Sequence, residues 1–405
     1  MIKTDMEVDV KMFNHKKYCE IQNSYNDKYL WKVRSIGYNG KWYVSEKIHG
    51  ANTAMYIHGD EIFYASRENI LTEENKHYNY KEVFERINPD IQRLKDNVKN
   101  ILGDAYSKYH TIVVYGEIFG GSYDHPDVGK NAKASRVQKG VSYSPNNEFL
   151  AFDVAVLRDL TTDEIGKYNN KITEYQDRRA SAESPSDIAS IDIAIKGFKS
   201  LIGQYVIKYL DYEDFVKSLD GTNFRTVPLI GIFDTLDEAL AVNEVFESKV
   251  YSMFGLPKIE NNFAEGVVIK PVTEQYAGQG RVIIKKKNPK FLENNNRQSK
   301  AEKSASEVDI SNYSDSTKFL LDKVPEYSNT NRLDAVLSKL SGPFNHKSFG
   351  MILGEFNKDL IKDLEKDFPD EVKASMDAEE YKVITKSVGA ANSVLLRREF
   401  PRIIE

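Results

Sequence analysis

The residues best suited to do chemistry stand in one short run, Ser45 to Thr53, which reads SEKIHGANT. There Lys47 closes a strand-like segment and is followed by His49 and Gly50. A lysine amine is a covalent nucleophile only when neutral, and its reference pKa of ~10.4 means that neighbouring cations or desolvation must lower it. Far along the chain, Lys285 and Lys287 lie one residue apart in IIKKK (283–287). On a strand both point to one face, where they can lower that pKa while gripping a phosphate, and Lys286 points to the other. Each piece also has an ordinary reading: K-x-x-G is a strand end with its turn, and a lysine run is a solvated basic patch.

Between these two segments come GEIFGG (116–121), FLAFDV (149–154) and EGVVIK (265–270), in that order. Each joins a hydrophobic strand to a charged or aromatic residue, which is how a nucleotide pocket is lined between sheets: apolar walls with a few convergent polar groups. Glu265 is a hard carboxylate, suited to Mg2+ on a triphosphate; alone, it is equally an acid before a turn glycine. His49 has no second His or Cys at ligand spacing and is not read as a metal ligand.

The elements that must position these residues are mostly strands at first. Lys41 to Ile48 is strand-like, Asn52 to Ser66 is a hairpin turning at His58-Gly59-Asp60, and HTIVVYGEIFG and EFLAFDVAV are buried strands. His77 to Leu102 is helical with a break at Pro89, and Gly121 to Asn147 is a polar loop. Thr162 to Lys199, with SAESPSD at its middle, predicts a helical hairpin inserted in the β-rich body. VPLIGIFDTLDEAL is a strand leading into a helix. Residues 293–311 have a linker's composition, and beyond them apolar residues recur at three and four residue spacing, predicting a helical C-terminal domain. The expected division is therefore 1–292, linker 293–311, and 312–405, with an α+β fold.

With 405 residues, 40% hydrophobic and 29% charged, the chain has the composition of a globular protein and not of a disordered one. Its net charge of −5 excludes a wholly polybasic nucleic-acid binder. Affinity for a polyanion must come from a local surface, and Arg281 to Lys303, with eight basic residues against two acidic ones, is the candidate stripe. The single cysteine, Cys19, cannot form an internal disulfide. No run approaches the ~18 apolar residues of a membrane span, so the expectation is a cytoplasmic protein with no membrane partner.

Taken together, the KIHG segment, GEIFGG, FLAFDV, EGVVIK and the lysine run resemble the covalent nucleotidyltransferase superfamily of ATP-dependent ligases and capping enzymes. His49 in KIHG is similar to the RNA ligase 2 family in particular, where DNA ligases and capping enzymes carry Asp. The opening MFNHKKYCEIQNSYNDKYL, the NPKF after the lysines and the helical tail NRLDAVLSKLSGPFNHKSFGMILGEFNKDLIKD resemble that family too.

The resemblance implies an adenylyltransferase domain on antiparallel sheets with flanking helices, then a small all-α domain. It implies catalysis by Lys47, with His49, Lys285 and Lys287 assisting. It implies ATP held by Glu46, Ile48, Asn52, Arg67, Glu117 and Phe152, with Glu117 on the ribose and Phe152 stacked on adenine, and a metal, Mg2+ or Mn2+, on Glu265. The implied partner is nicked duplex RNA or an RNA/DNA hybrid, sealed by a monomer. The alternatives are a DNA ligase or capping-type nucleotidyltransferase, or an inactive duplex-RNA binding protein. The chain departs from the family at Ser45, Ala51 and Ser66, positions that leave the nucleophile untouched.

Overall fold

The computed structural model describes residues 15–291 and 313–404, apart from 76, 183, 279, 376 and 377. In chain order the strands are β1 (Gln22–Asn23), β2 (Trp42–Glu46), β3 (Ala51–His58), β4 (Glu61–Ser66), β5 (Thr111–Ser122), β6 (Ser144–Arg158), β7 (Val206–Tyr209), β8 (Leu229–Phe233), β9 (Gly266–Pro271), β10 (Tyr276–Ala277), β11 (Gly280–Arg281) and β12 (Ile284–Lys287). Helices α1 (Asp27–Ser35), α2 (Tyr80–Glu85), α3 (Ile91–Leu102), α4 (Thr162–Ala180), α5 (Pro185–Ile202), α6 (Tyr212–Ser218), α7 (Leu236–Ala241) and α8 (Val250–Met253) lie among them. The chain ends in α9 (Asp315–Tyr327), α10 (Thr330–Leu340), α11 (Phe349–Asp367), α12 (Pro369–Ala374) and α13 (Ala378–Ile404).

Two five-stranded sheets carry the body, in the orders β1-β12-β9-β2-β8 and β4-β3-β5-β6-β7. Their neighbours pair antiparallel except β1 with β12. Side-chain alternation along β5 explains the layering. Ile112, Val114 and Ile118 face a core shared with α2 and α3, whereas Val113 and Tyr115 face the opposite sheet and meet Ile283 and Val268. The outer face of the first sheet buries Trp42, Val44, Val267 and Ile269 under α1 and α7. The result is a mixed α+β architecture with helices outside and a sheet-on-sheet interior.

The insert is a helical hairpin, α4 and α5. It starts where it does because Thr161 and Glu164 form a reciprocal cap: Glu164 N–H donates to Thr161 Oγ1 (3.3 Å) and Thr161 N–H to Glu164 Oε2 (2.9 Å). Pro185 opens α5, where its missing N–H has no intrahelical partner to lose. Among the C-terminal helices, Ile352, Phe356, Leu360 and Leu364 repeat every fourth residue along α11 and are all buried against α9, α10 and α13. β6 begins at Ser144, earlier than the polar composition to Asn147 suggests, and α6 gave no clear signal in sequence. The expected linker, 293–311, lies outside the described residues. Among those described, no helix is long and apolar enough to cross a membrane.

Candidate active site

Lys47 sits where the chain leaves one sheet for the other, between β2 and β3. Along β2, Trp42 and Val44 point into the outer core, so Ser45 and Lys47 take the opposite, inter-sheet side. The turn after Lys47 is tightly held. Lys47 N–H donates to Gly266 O (2.9 Å), His49 N–H to the Tyr143 hydroxyl (3.0 Å), and Gln138 Nε2 to Gly50 O (3.3 Å). Gly50 is required by close approach: a Cβ there would lie 2.2 Å from Ile118 O, a backbone atom of β5. Gly50→Ala is therefore expected to destabilise the protein by about 1–3 kcal/mol through overpacking and to slow chemistry at Lys47; thermal melting and adduct formation check both.

Around Lys47 the charges converge on Glu265, which is 3% exposed. Lys47 Nζ lies 2.7 Å and His49 Nδ1 3.3 Å from Glu265 Oε2, and Lys287 Nζ 3.2 Å from Oε1. Burial alone would raise the Glu265 pKa, but Lys47, Lys287 and His49 outweigh it and hold the carboxyl well below the usual range. Glu117, opposite Asn52 in the β3–β5 register, behaves differently. Burial, reinforced by Glu265 and only partly offset by Lys47 and Arg67, pushes it up to about 8. Two carboxyls in one pocket thus differ in protonation at neutral pH. A third, Glu46, lines the pocket while its carboxyl bonds Ser248 and the Lys249 backbone: burial lifts it to about 7, which those bonds only partly offset.

A β-bulge places the aromatic residue of the pocket. Tyr115 pairs with Asp153 and Gly116 with Ala151, so Phe152 is the extra residue on β6. The bulge turns Phe152 to the same inter-sheet side as Asp153. Asp153 is buried and surrounded by partners. Lys270 Nζ lies 2.7 Å from Oδ2, Arg281 Nη1 2.6 Å from Oδ2 and Nη2 2.9 Å from Oδ1, and the Tyr18 hydroxyl donates to it. Burial would raise Asp153, yet Arg281 and Lys270 bring it down to about 2. Lys270 also donates to Phe152 O (2.9 Å), which ties the network to the aromatic wall.

The helical part completes the enclosure. Asn331, Ser338 and Lys339 on or beside the inner face of α10, with Asp359, Lys362, Asp363 and Lys366 of α11, line the same cavity. Arg332, buried, binds Asp359 and Asp363 at 2.8 Å each, and Lys362 pairs with Glu20 across the mouth.

All the residues expected from sequence line this one cavity of about 260 Å³: Glu46, Lys47, Ile48, His49, Asn52, Arg67, Glu117, Phe152, Glu265, Lys285 and Lys287. Lys286 does point the other way, to Leu240 O (3.0 Å), Val242 O (2.9 Å) and Glu244 (2.9 Å). The basic stripe needs correction. Arg281 is 4% exposed and spent on Asp153 and Glu274, because a guanidinium so buried must be paired; residues 292–303 of the stripe lie outside the described residues. Sequence reasoning passed over Tyr18, Gln138, Lys270 and the α11 side chains. For Lys270 there was a signal, a lysine ending a strand as apolar as GVVI.

Among the described residues, no group of three or more His, Cys, Asp or Glu side chains is arranged to hold a metal ion. The donors present, Glu265 with Glu117 nearby, are hard oxygens. They fit Mg2+ or Mn2+, which is bound through one or two carboxylates plus substrate phosphates and keeps its waters, better than a metal needing an all-protein cage.

The family described as RNA ligase matches residues 40–287, and that described as T4 RNA ligase 2 C-terminal matches residues 311–393. The chain belongs to the RNA ligase family. It is 26% identical to the mitochondrial RNA-editing ligase 2 of Trypanosoma brucei brucei over 296 residues, covering 68% of this chain and 60% of that protein. To the mitochondrial RNA-editing ligase 1 of the same organism it is 25% identical, over 60% of this chain and 48% of that one. The matches thus span about half to three-fifths of these relatives' own length. Among solved structures, a Naegleria gruberi RNA ligase with PPi aligns with a TM-score of 0.36 and 16% identity, over 72% of this chain and 62% of that one.

Proposed function

We propose that this chain is an ATP-dependent RNA ligase. Lys47 takes AMP from ATP, AMP passes to a 5′-phosphate on RNA, and the 3′-hydroxyl of the adjoining strand displaces AMP to form the phosphodiester. The observation that carries the reading is the Lys47–Glu265–Lys287 cluster in a pocket that Phe152 also lines. In the first step the Lys47 Nζ lone pair forms a bond to the α-phosphorus as the bond to pyrophosphate breaks. The ammonium must first lose its proton and separate from Glu265, and Lys287 and Lys285 hold the α-phosphate charge as it grows. His49, whose ring packs on Phe291 at 5.1 Å, would assist pyrophosphate release. Glu117 and Asn52 hold the ribose, Arg67 a phosphate, and the backbone at Glu46 and Ile48 reads the adenine edge. A divalent ion, Mg2+ or Mn2+, supplies charge neutralisation on the triphosphate when bound, and Glu265 would hold it.

The favoured substrate is a nick in duplex RNA, or in an RNA/DNA hybrid, joined by a monomer acting in RNA repair. A-form duplexes are recognised by shape and 2′-hydroxyls, so little sequence preference is expected. Nicked duplexes of identical sequence, in all-RNA, hybrid and all-DNA forms, test this. Sealing of the RNA nick well ahead of the DNA nick is expected; faster sealing of DNA would overturn it.

A further inference from the structure

The loop between β5 and β6 carries a charged surface with no part in the pocket chemistry. From Gly129 to Gly140 it holds Lys130, Lys133, Arg136 and Lys139, one cation every third residue, and no acidic residue, in a chain whose net charge is −5. All four are exposed. The backbone that presents them is nonetheless fixed. Ser135 N–H donates to Asn147 Oδ1 (2.9 Å) while Asn147 Nδ2 donates to Ser135 O (2.7 Å), and Asn147 itself is buried. Val137 N–H donates to Gly120 O (3.1 Å), and its side chain enters the core beneath the second sheet.

The loop is also continuous with the pocket. Gln138, between two of the cations, lines the cavity and holds the carbonyl of Gly50, the residue after His49 in the KIHG turn. At its end, Lys290 Nζ donates to Gly140 O (3.1 Å), and the adjacent Phe291 ring packs on His49. An ordered, predominantly basic rail thus adjoins the His49 side of the cavity, and its Arg136 Nη2 lies 3.9 Å from Asp124 Oδ2 earlier in the loop.

We infer that this rail binds the phosphate backbone of the RNA strand whose end enters the pocket. The inference rests on the ligase reading above and adds the surface that grips the substrate. Four exposed lysine and arginine side chains on an ordered loop suit a polyanion read without regard to sequence, and each phosphate neutralised releases counterions and steepens the dependence on salt.

The test compares the wild-type full-length chain with a variant carrying Lys130→Ala, Lys133→Ala, Arg136→Ala and Lys139→Ala. Two readouts are taken: AMP adduct by intact mass after ATP and Mg2+, and binding of a nicked RNA duplex by fluorescence anisotropy between about 50 and about 200 mM salt. The variant is expected to form the adduct as the wild type does. Its RNA affinity is expected to fall by about tenfold or more, with the slope of log affinity against log salt shallower by about three. A second variant, Lys130→Arg, Lys133→Arg and Lys139→Arg, keeps the charge and is expected to bind as the wild type; should the alanine variant not fold, Lys133→Glu alone is expected to weaken binding. Unchanged affinity and slope in the alanine variant, or in Lys133→Glu where that stands in for it, would overturn the rail. So would equal loss in the arginine variant, or a wild type that does not bind the duplex. A wild type that binds the duplex through these residues but forms no adduct would overturn the ligase reading and leave the surface standing.

Discussion

Glu265→Gln is expected to reduce the rate of AMP transfer to the protein by about a hundredfold or more, the loss that follows when one preorganised charge is taken from a reacting centre. Gln keeps the shape and removes the anion on which Lys47, His49 and Lys287 all converge. Three consequences act together. The cations repel, so Lys47 loses its rest position; the carboxylate suited to a divalent ion is gone; and the pocket becomes more positive, which favours nucleotide binding while chemistry fails. The signature is therefore a fall in kcat with ATP affinity kept or improved, read by single-turnover adduct formation beside nucleotide titration. A parallel loss of ATP affinity with kcat intact would show that Glu265 only shapes the pocket.

The second large effect is on stability. Asp153→Asn is expected to destabilise the protein by about 3–5 kcal/mol, because it leaves Lys270 and Arg281 buried without their shared counter-charge. The expectation has a pH counterpart. Asp153 is held down to about 2 in the folded protein, below its unfolded value of ~3.9. The stability it contributes is thus complete above about pH 4 and is lost as pH falls toward about 2. Denaturant unfolding from neutral to acid pH should show this loss in the wild type and a shallower dependence in the variant. Since Lys270 also holds Phe152 O, the variant is expected to bind ATP more weakly at neutral pH as well.

That network marks the limit of what local sequence can say. An aspartate inside AFDVAV has to be paired if the strand is buried, and that much is legible. Its partner Arg281 is 128 residues away and stands beside a lysine run, where local composition makes it look solvated. Only the packing of one sheet on the other brings them together. The bulge at Phe152 is similar: alternation along β6 would put Phe152 and Asp153 on opposite faces, and one extra residue puts both on the pocket side. By contrast, residues whose meaning is local were readable. The stretch 162–199 with SAESPSD at its middle announces the helical insert, Lys285 and Lys287 share a face by strand period, and Gly50 marks the turn after Lys47. The approach of α11 to the pocket was hidden for a plain reason: helical periodicity tells which face is buried, and nothing in it names the element that the polar face meets.

The most direct measurement is the intact mass of the protein after incubation with ATP and Mg2+, beside GTP and NAD+ controls and a Lys47→Ala variant. The account predicts a gain of one AMP with ATP alone and no gain in the variant. No gain with ATP, in protein shown to carry no AMP beforehand, or an adduct that survives Lys47→Ala, would contradict it.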